Sequence, residues 1–342
     1  MNRLKLLSCN LAAFLFLFTE QHVRSQTPFE RPTLQPAEGL KDHSIDVSGG
    51  SVHFIQGIII TGDYELYGSK YDGLVLTKSI IKGTLKLDGV KNLIVKDNQL
   101  NSIWFRGNQP TDSVTIDHNQ ISGATNDCIH VHDGTSPARH VIIENNDIHD
   151  CGVGHPTSNL YHAIYDQVPG VVIQGNCISS ARAAISVRSN ALIQDNFIEN
   201  VISGGAIEYF SDHDAEPGKS LTLKGNVISS ALPNEPSLAG SNRGLIVLGN
   251  DIGKDRRPVS FFDIRDNKLA VLNRQENEGG GRFSNVYVQS NAQDVRLTNN
   301  LLINLIPNGQ FYPVVGAESN NEETHDPRSL SRIANSTRPA CH

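Results

Sequence analysis

One motif recurs down most of the chain and constrains its fold more than any other feature: apolar-x-apolar-x-x-Asn-x-apolar. It reads Leu93-Ile94-Val95-Lys96-Asp97-Asn98-Gln99-Leu100, then Val114 and Ile116 with Asn119 and Ile121, then Val141 and Ile143 with Asn146 and Ile148. Further copies centre on Asn176, Asn196, Asn226, Asn267 and Asn300, and a weaker one, Leu74-Val75-Leu76, has Ser79 in the asparagine place. Successive asparagines lie 21, 27, 30, 20, 30, 41 and 33 residues apart, so bare repeats are interspersed with repeats that carry insertions. A unit of this length cannot bury its apolar face alone and must stack on its neighbours.

Each copy reads as a short strand, a bend at the Asn and one more apolar residue. Period-two alternation is widespread, and after residue 25 no run of ten or more residues has helical periodicity. Asn tolerates the left-handed backbone region and its amide bonds to neighbouring backbone, which suits a sharp bend. Stacked coils would bring these amides into a ladder, each bonded to the next, giving buried polar groups their partners. That use accounts for part of an unusual asparagine content, 31 of 342 residues. The expected fold is all-β, a single-stranded parallel β-helix of roughly ten coils about 4.8 Å apart.

On these motifs, which cover about residues 50 to 310, the chain resembles the right-handed parallel β-helix proteins of the pectin lyase-like superfamily. The resemblance implies a right-handed solenoid. It also implies a choice among polysaccharide lyases, polysaccharide hydrolases, uronate epimerases and phage tailspikes, since one fold hosts many functions.

The ends read differently. Arg3 and Lys5 precede an apolar stretch at 11–18, with Val23-Arg24-Ser25 as a cleavage site, so residues 1–25 are expected to be a secretory signal peptide and the protein secreted or periplasmic. Residues 26–50 are expected to be an entry segment or cap, 51–316 the β-helix, and 317–342 a polar, disordered tail. Four cysteines follow the leader: Cys128, Cys151, Cys177 and Cys341. Their spacing shows no dense disulfide framework, three pairings are open, and isolated core thiols are the expectation. A net charge of −7 gives no general attraction for nucleic acid or an anionic membrane, so neither partner is expected, and the chain is read as a monomer.

A second strand precedes the Asn strand in most coils, and aligning these strands locates the chemistry. If the first Ile of each points inward, His130, Tyr165, Ser186, Glu208, Ile246 and Tyr287 form one outward column. His132, Gln167, Arg188, Phe210, Leu248 and Gln289 form the next. Charged and aromatic residues concentrate between about residues 127 and 214, suiting a chain-like ligand laid along several coils. By elimination chemistry on a uronate polymer, Arg188 would neutralise the carboxylate, His130 or His132 would take the C5 proton, and Tyr165 would protonate the leaving oxygen. Glu208, Asp212 and Asp214 offer hard oxygens to a possible Ca²⁺. Trp104, His162, Phe210 and His213 are the candidate sugar contacts.

The leading expectation is therefore a secreted lyase acting on an anionic polysaccharide. A glycoside hydrolase using Asp166, Glu208 and Asp212 is the first alternative, a C5-epimerase the second. A non-catalytic carbohydrate-binding or surface structural protein is the rival outside enzymes.

Overall fold

In a computed structural model, the structure describes residues 53–153, 161–202, 205–232, 244–249, 256–274, 284–288, 292, 294–306, 311–312 and 317–336. The expected signal peptide and the whole of the expected cap lie outside these residues. Three strands per turn build the solenoid. The first face is an eleven-stranded parallel sheet running from His53–Gln56 through Lys91–Lys96, Arg139–Glu144 and Leu221–Lys224 to Ala317–Ser319. The second face follows the asparagine, in strands such as Asp147–His149, Cys177–Ser179 and Phe197–Glu199. The third carries Ile129–Val131, His162–Asp166, Ala183–Val187, Ile207–Phe210 and Gly244–Gly249. The pairings are parallel throughout.

The interior is a stack of aliphatic columns, because every strand sends alternate residues inward and neighbouring coils are in register. Ile103, Ile129, Ile164, Ile185, Ile207 and Ile246 are successive partners on the third face, and all are fully buried.

At the corner between the first and second faces, all eight motif asparagines form one continuous ladder. In each step the backbone N–H and Nδ2 of one Asn donate to Oδ1 of the next, at 2.9–3.1 Å, from Asn98 through to Asn300. Ser79 joins at one end, its N–H donating to Asn98. The bend itself is made one residue earlier than expected. Asp97, His118, Asn145, Asp195, Asp266 and Asn299 take positive φ, as do Gly175 and Gly225, while the ladder asparagines do not. The ladder residue supplies hydrogen bonds, and its predecessor supplies the left-handed turn.

Two expectations are corrected. Residues 317–336 are not a disordered tail: Ala317–Ser319 and Glu322–Thr324 add strands to two faces, and Asn321 continues the ladder by accepting from Asn300. A 3₁₀ turn at Pro327–Leu330 and the short helix Ser331–Ala334 follow, and Ile333 packs on the second face. The cysteines are not isolated thiols either. Cys128 is bonded to Cys151, and Cys177 is also disulfide-bonded. Among the described residues no helix is long and apolar enough to cross a membrane.

Candidate functional site

The outward column of the third face is Trp104, His130, Tyr165, Ser186, Glu208, Val247 and Tyr287, each the direct cross-coil partner of the next. The register expected for His130, Tyr165, Ser186, Glu208 and Tyr287 holds. Ile246 does not belong: it pairs with Ile207 and points inward, so Val247 takes the outward place. In the neighbouring column Gly249 pairs with Phe210, and Leu248 is buried, opposite Tyr209. A one-residue slip at this strand exchanged its two faces. Gln289 lies outside the described residues.

Exposure falls along the column from Trp104 to Val247, and Tyr287 beyond it is half-buried again. Trp104 is 43% exposed, His130 and Tyr165 are half-buried, and Ser186, Glu208 and Val247 are buried despite their outward register.

The rings form a continuous cluster. Trp104 stacks on His130 with centroids 5.9 Å apart, and His130 meets Tyr165 edge-on at 5.0 Å. His162 stacks on Tyr165 at 4.9 Å. The Arg188 guanidinium lies between two rings, 5.0 Å from Tyr165 and 5.1 Å from Phe210. Such stacking orients a planar cation while its edge stays available for a carboxylate. Arg188 Nε and Ser186 Oγ are buried and have no hydrogen-bond partner among the described residues.

Hydrogen bonds fix how these groups are used. His132 Nδ1 lies 2.6 Å from Gln167 Oε1, and Gln167 Nε2 donates to the Tyr165 hydroxyl at 3.2 Å. Tyr165 therefore accepts from Gln167 and keeps its own proton for another acceptor. His213 bridges Asp133 at 3.1 Å and Asp212 at 3.0 Å, and Asp212 lies 3.8 Å from Arg188. Behind His132, Gly107 and Gly134 pack back to back with positive φ. A Cβ on Gly134 would stand 2.3 Å from the Gly107 carbonyl oxygen.

Asp127, which sequence reasoning missed, anchors the histidines. Its carboxylate lies 3.2 Å from His130 Nδ1 and 3.1 Å from His162 Nδ1. Burial pushes its pKa up, but hydrogen bonds and charge from the two imidazoles outweigh that and hold it at about 2. The signal available was an Asp three residues before His130, beside a cysteine.

The acidic residues do not assemble as expected for Ca²⁺. Glu208 is buried, and its Oε1 accepts the Gly205 N–H at 2.7 Å. Burial raises its pKa, against the opposing charges of His162 and Arg188. Asp214 accepts instead from the Arg257 N–H and lies 3.6 Å from Arg256, and Asp212 faces His213 and Arg188. Among the described residues no three His, Cys, Asp or Glu side chains converge as a metal site. The donor set does not fit Ca²⁺. Asp166 faces the core, fully buried, opposite Val131 and Val187. Its Oδ1 accepts from Val168, its Oδ2 has no partner among the described residues, and burial raises its pKa well above 3.8.

The family profile described as "Right handed beta helix region" matches residues 38–252, well over half the chain. The chain belongs to this β-helix family. No curated protein matches it. Solved structures similar to the β-helix include an alginate lyase from Paenibacillus sp. str. FPU-7, at 13% identity over 74% of this chain and 76% of that one, with a TM-score of 0.23. Another is a mannuronic acid specific polysaccharide family 6 lyase enzyme from human gut microbiota, at 11% identity over 82% and 87%, with a TM-score of 0.28. Likenesses this distant do not bear on the chemistry of this β-helix.

Proposed function

We propose that this β-helix protein is a secreted enzyme that cleaves an acidic, uronate-containing polysaccharide by β-elimination. The observation that carries the reading is Arg188, clamped between Tyr165 and Phe210 with a buried Nε that no described protein group satisfies, in the same patch as His130 and Tyr165. A buried donor left without a partner calls for a functional account, and a bound uronate carboxylate at the guanidinium would supply one. Arg188 pairs with the uronate carboxylate and stabilises the negative charge that grows on it as C5 loses its proton. His130 takes that proton on Nε2. The C5–H electron pair becomes the C4–C5 double bond as the C4–O bond breaks, and the leaving oxygen takes the Tyr165 hydroxyl proton. Residues one or two coils apart are roughly 5 to 10 Å from one another, a span suited to one or two sugar units.

Two further features support this reading. A hydrolase needs a pair of carboxyl groups flanking the scissile bond, and Asp166 is withdrawn into the core while Glu208 is buried. The Cys128–Cys151 disulfide suits an oxidising, extracytoplasmic compartment.

The test is purified protein against pectate, alginate, glycosaminoglycans and bacterial exopolysaccharides, with and without Ca²⁺. Elimination gives product absorbance near about 235 nm from the conjugated double bond, and Arg188→Ala abolishes it. New reducing ends without absorbance would make it a hydrolase, and binding without turnover would make it a binding protein.

A further inference from the structure

We propose that Asp127 is the positioning residue of this site, one carboxylate that holds both His130 and His162 as Nδ1–H tautomers and leaves Nε2 of His130 as the proton acceptor. The functional meaning rests on the elimination reading above; the geometry does not. Asp127 Oδ2 faces His130 Nδ1 at 3.2 Å, while Oδ1 faces His162 Nδ1 at 3.1 Å and accepts the His162 backbone N–H at 2.7 Å. An ionised carboxylate only accepts, so His162 Nδ1, hydrogen-bonded to it, carries its proton, and His130 Nδ1, in charge-pair contact with the other oxygen at 3.2 Å, is assigned the same one. A neutral imidazole with a proton on Nδ1 has its lone pair on Nε2.

Three restraints fix Asp127 itself. Cys128 N–H donates to the His162 carbonyl at 3.1 Å while His162 N–H donates back to Asp127, a two-point clamp between adjacent coils. Cys128 is tied by its disulfide to Cys151. The carboxylate stays ionised because the two imidazoles hold its pKa low. One oxygen pair thus sets two rings that both contact the same residue: His130 edge-on to Tyr165 and His162 stacked on it.

One other contact competes with this assignment, because Gln167 Oε1 only accepts and would take a proton from His130 Nε2, but it lies farther off than Asp127 and is uncharged. His130 is faced by Trp104, His132 and Tyr165, and its Nε2 is 3.5 Å from Gln167 Oε1, an oxygen already engaged at 2.6 Å by His132. His162 is faced by Tyr165, and the nearby ionisable groups are Glu208 and Arg188. Neither carboxyl other than Asp127 is within hydrogen-bond distance of these two rings among the described contacts.

The experiment is long-range ¹H–¹⁵N correlation spectroscopy of the histidine rings at neutral pH, on the wild-type protein and on Asp127→Asn. Both rings are expected as Nδ1–H tautomers in the wild type, and His130 is expected to become a tautomer mixture in Asp127→Asn. On a polymer that the wild type cleaves, kcat falls roughly 100-fold with KM little changed, the pattern of lost tautomer control at a catalytic histidine. A wild-type His130 or His162 ring protonated on Nε2 overturns the proposal even if the variant does not fold, and so do unchanged tautomers in a folded Asp127→Asn. Nδ1–H rings in a protein that cleaves no polymer uphold the positioning role and defeat the elimination reading.

Discussion

Asn146 donates twice to Oδ1 of Asn176, from its backbone N–H at 3.0 Å and from its side-chain Nδ2 at 2.9 Å. Asn176 in turn donates to the Ile143 carbonyl at 2.9 Å. Asn176→Ala therefore strands two buried donors and one carbonyl at once. With about 1–3 kcal/mol for each buried group left unsatisfied, the expected loss is several kcal/mol. Asn101→Ala, half-buried and outside the ladder, should change stability by less than about 0.5 kcal/mol. Urea unfolding of the two variants checks this; equal stabilities would mean the ladder contributes nothing net.

The ladder was legible in the sequence because its geometry accepts one residue type at one spacing, so Asn98 to Asn300 announce themselves. Its last rung, Asn321, was obscured by the surrounding acidic residues, although it follows Asn300 by 21 residues, the interval that separates Asn98 from Asn119. The third-face register was legible through the inward isoleucines, and failed where Leu245-Ile246-Val247-Leu248 offers four apolar residues in a row with no alternation to set the phase. Cys128–Cys151 was one of three pairings that spacing alone leaves equal. Asp127 was not legible because its second partner, His162, is 35 residues away and arrives only after a full coil and its insertion.

The disulfide should matter to both stability and the site. It closes a loop of 23 residues, for which chain entropy gives a stabilisation of about 3 kcal/mol. The double variant Cys128→Ser/Cys151→Ser is expected to lose about that much in chemical denaturation. It should also lose the fixed ring tautomers, because Asp127 adjoins Cys128. Unaltered histidine spectra in the double variant would separate the crosslink from the site.

Asp166 sets a pH dependence with a definite sign. Its carboxyl has its folded pKa raised well above the ordinary 3.8 by burial, so the folded state favours the neutral form. Its contribution to stability is complete below 3.8 and is lost as pH rises towards the folded value. Asp166→Asn carries no such charge. The melting temperature of this variant relative to wild type should rise as pH increases above 4, and a difference that stays constant with pH would show that Asp166 does not titrate in the core.

Trp104 is the exposed end of the aromatic cluster, 43% accessible, with Lys86 its partner on the preceding coil. Lys86 is paired to Asp63, so the ring is the free apolar surface at that point in the column. A sugar ring stacked there is held one coil from the proposed base, and Trp104→Ala should raise KM on a cleaved polymer several-fold with a smaller fall in kcat, since the same ring stacks on His130. An equal fall in kcat would place Trp104 in the chemistry.

Arg188→Lys separates charge from shape. Both side chains are cations, but only the planar guanidinium fills the gap between Tyr165 and Phe210 and presents an edge with several donors. If Arg188 neutralises a carboxylate by two-point pairing while its stacking fixes its plane, lysine keeps the charge and loses the plane. Because that interaction strengthens as charge develops at C5, the loss should fall on kcat more than on KM, by about 100- to 1000-fold, the range for removing one preorganised donor from a developing oxyanion. Circular dichroism should be unchanged, since the side chain sits outside the aliphatic columns. Full activity in Arg188→Lys would reduce the residue to a diffuse positive charge, and the two rings that hold it would have no part in turnover.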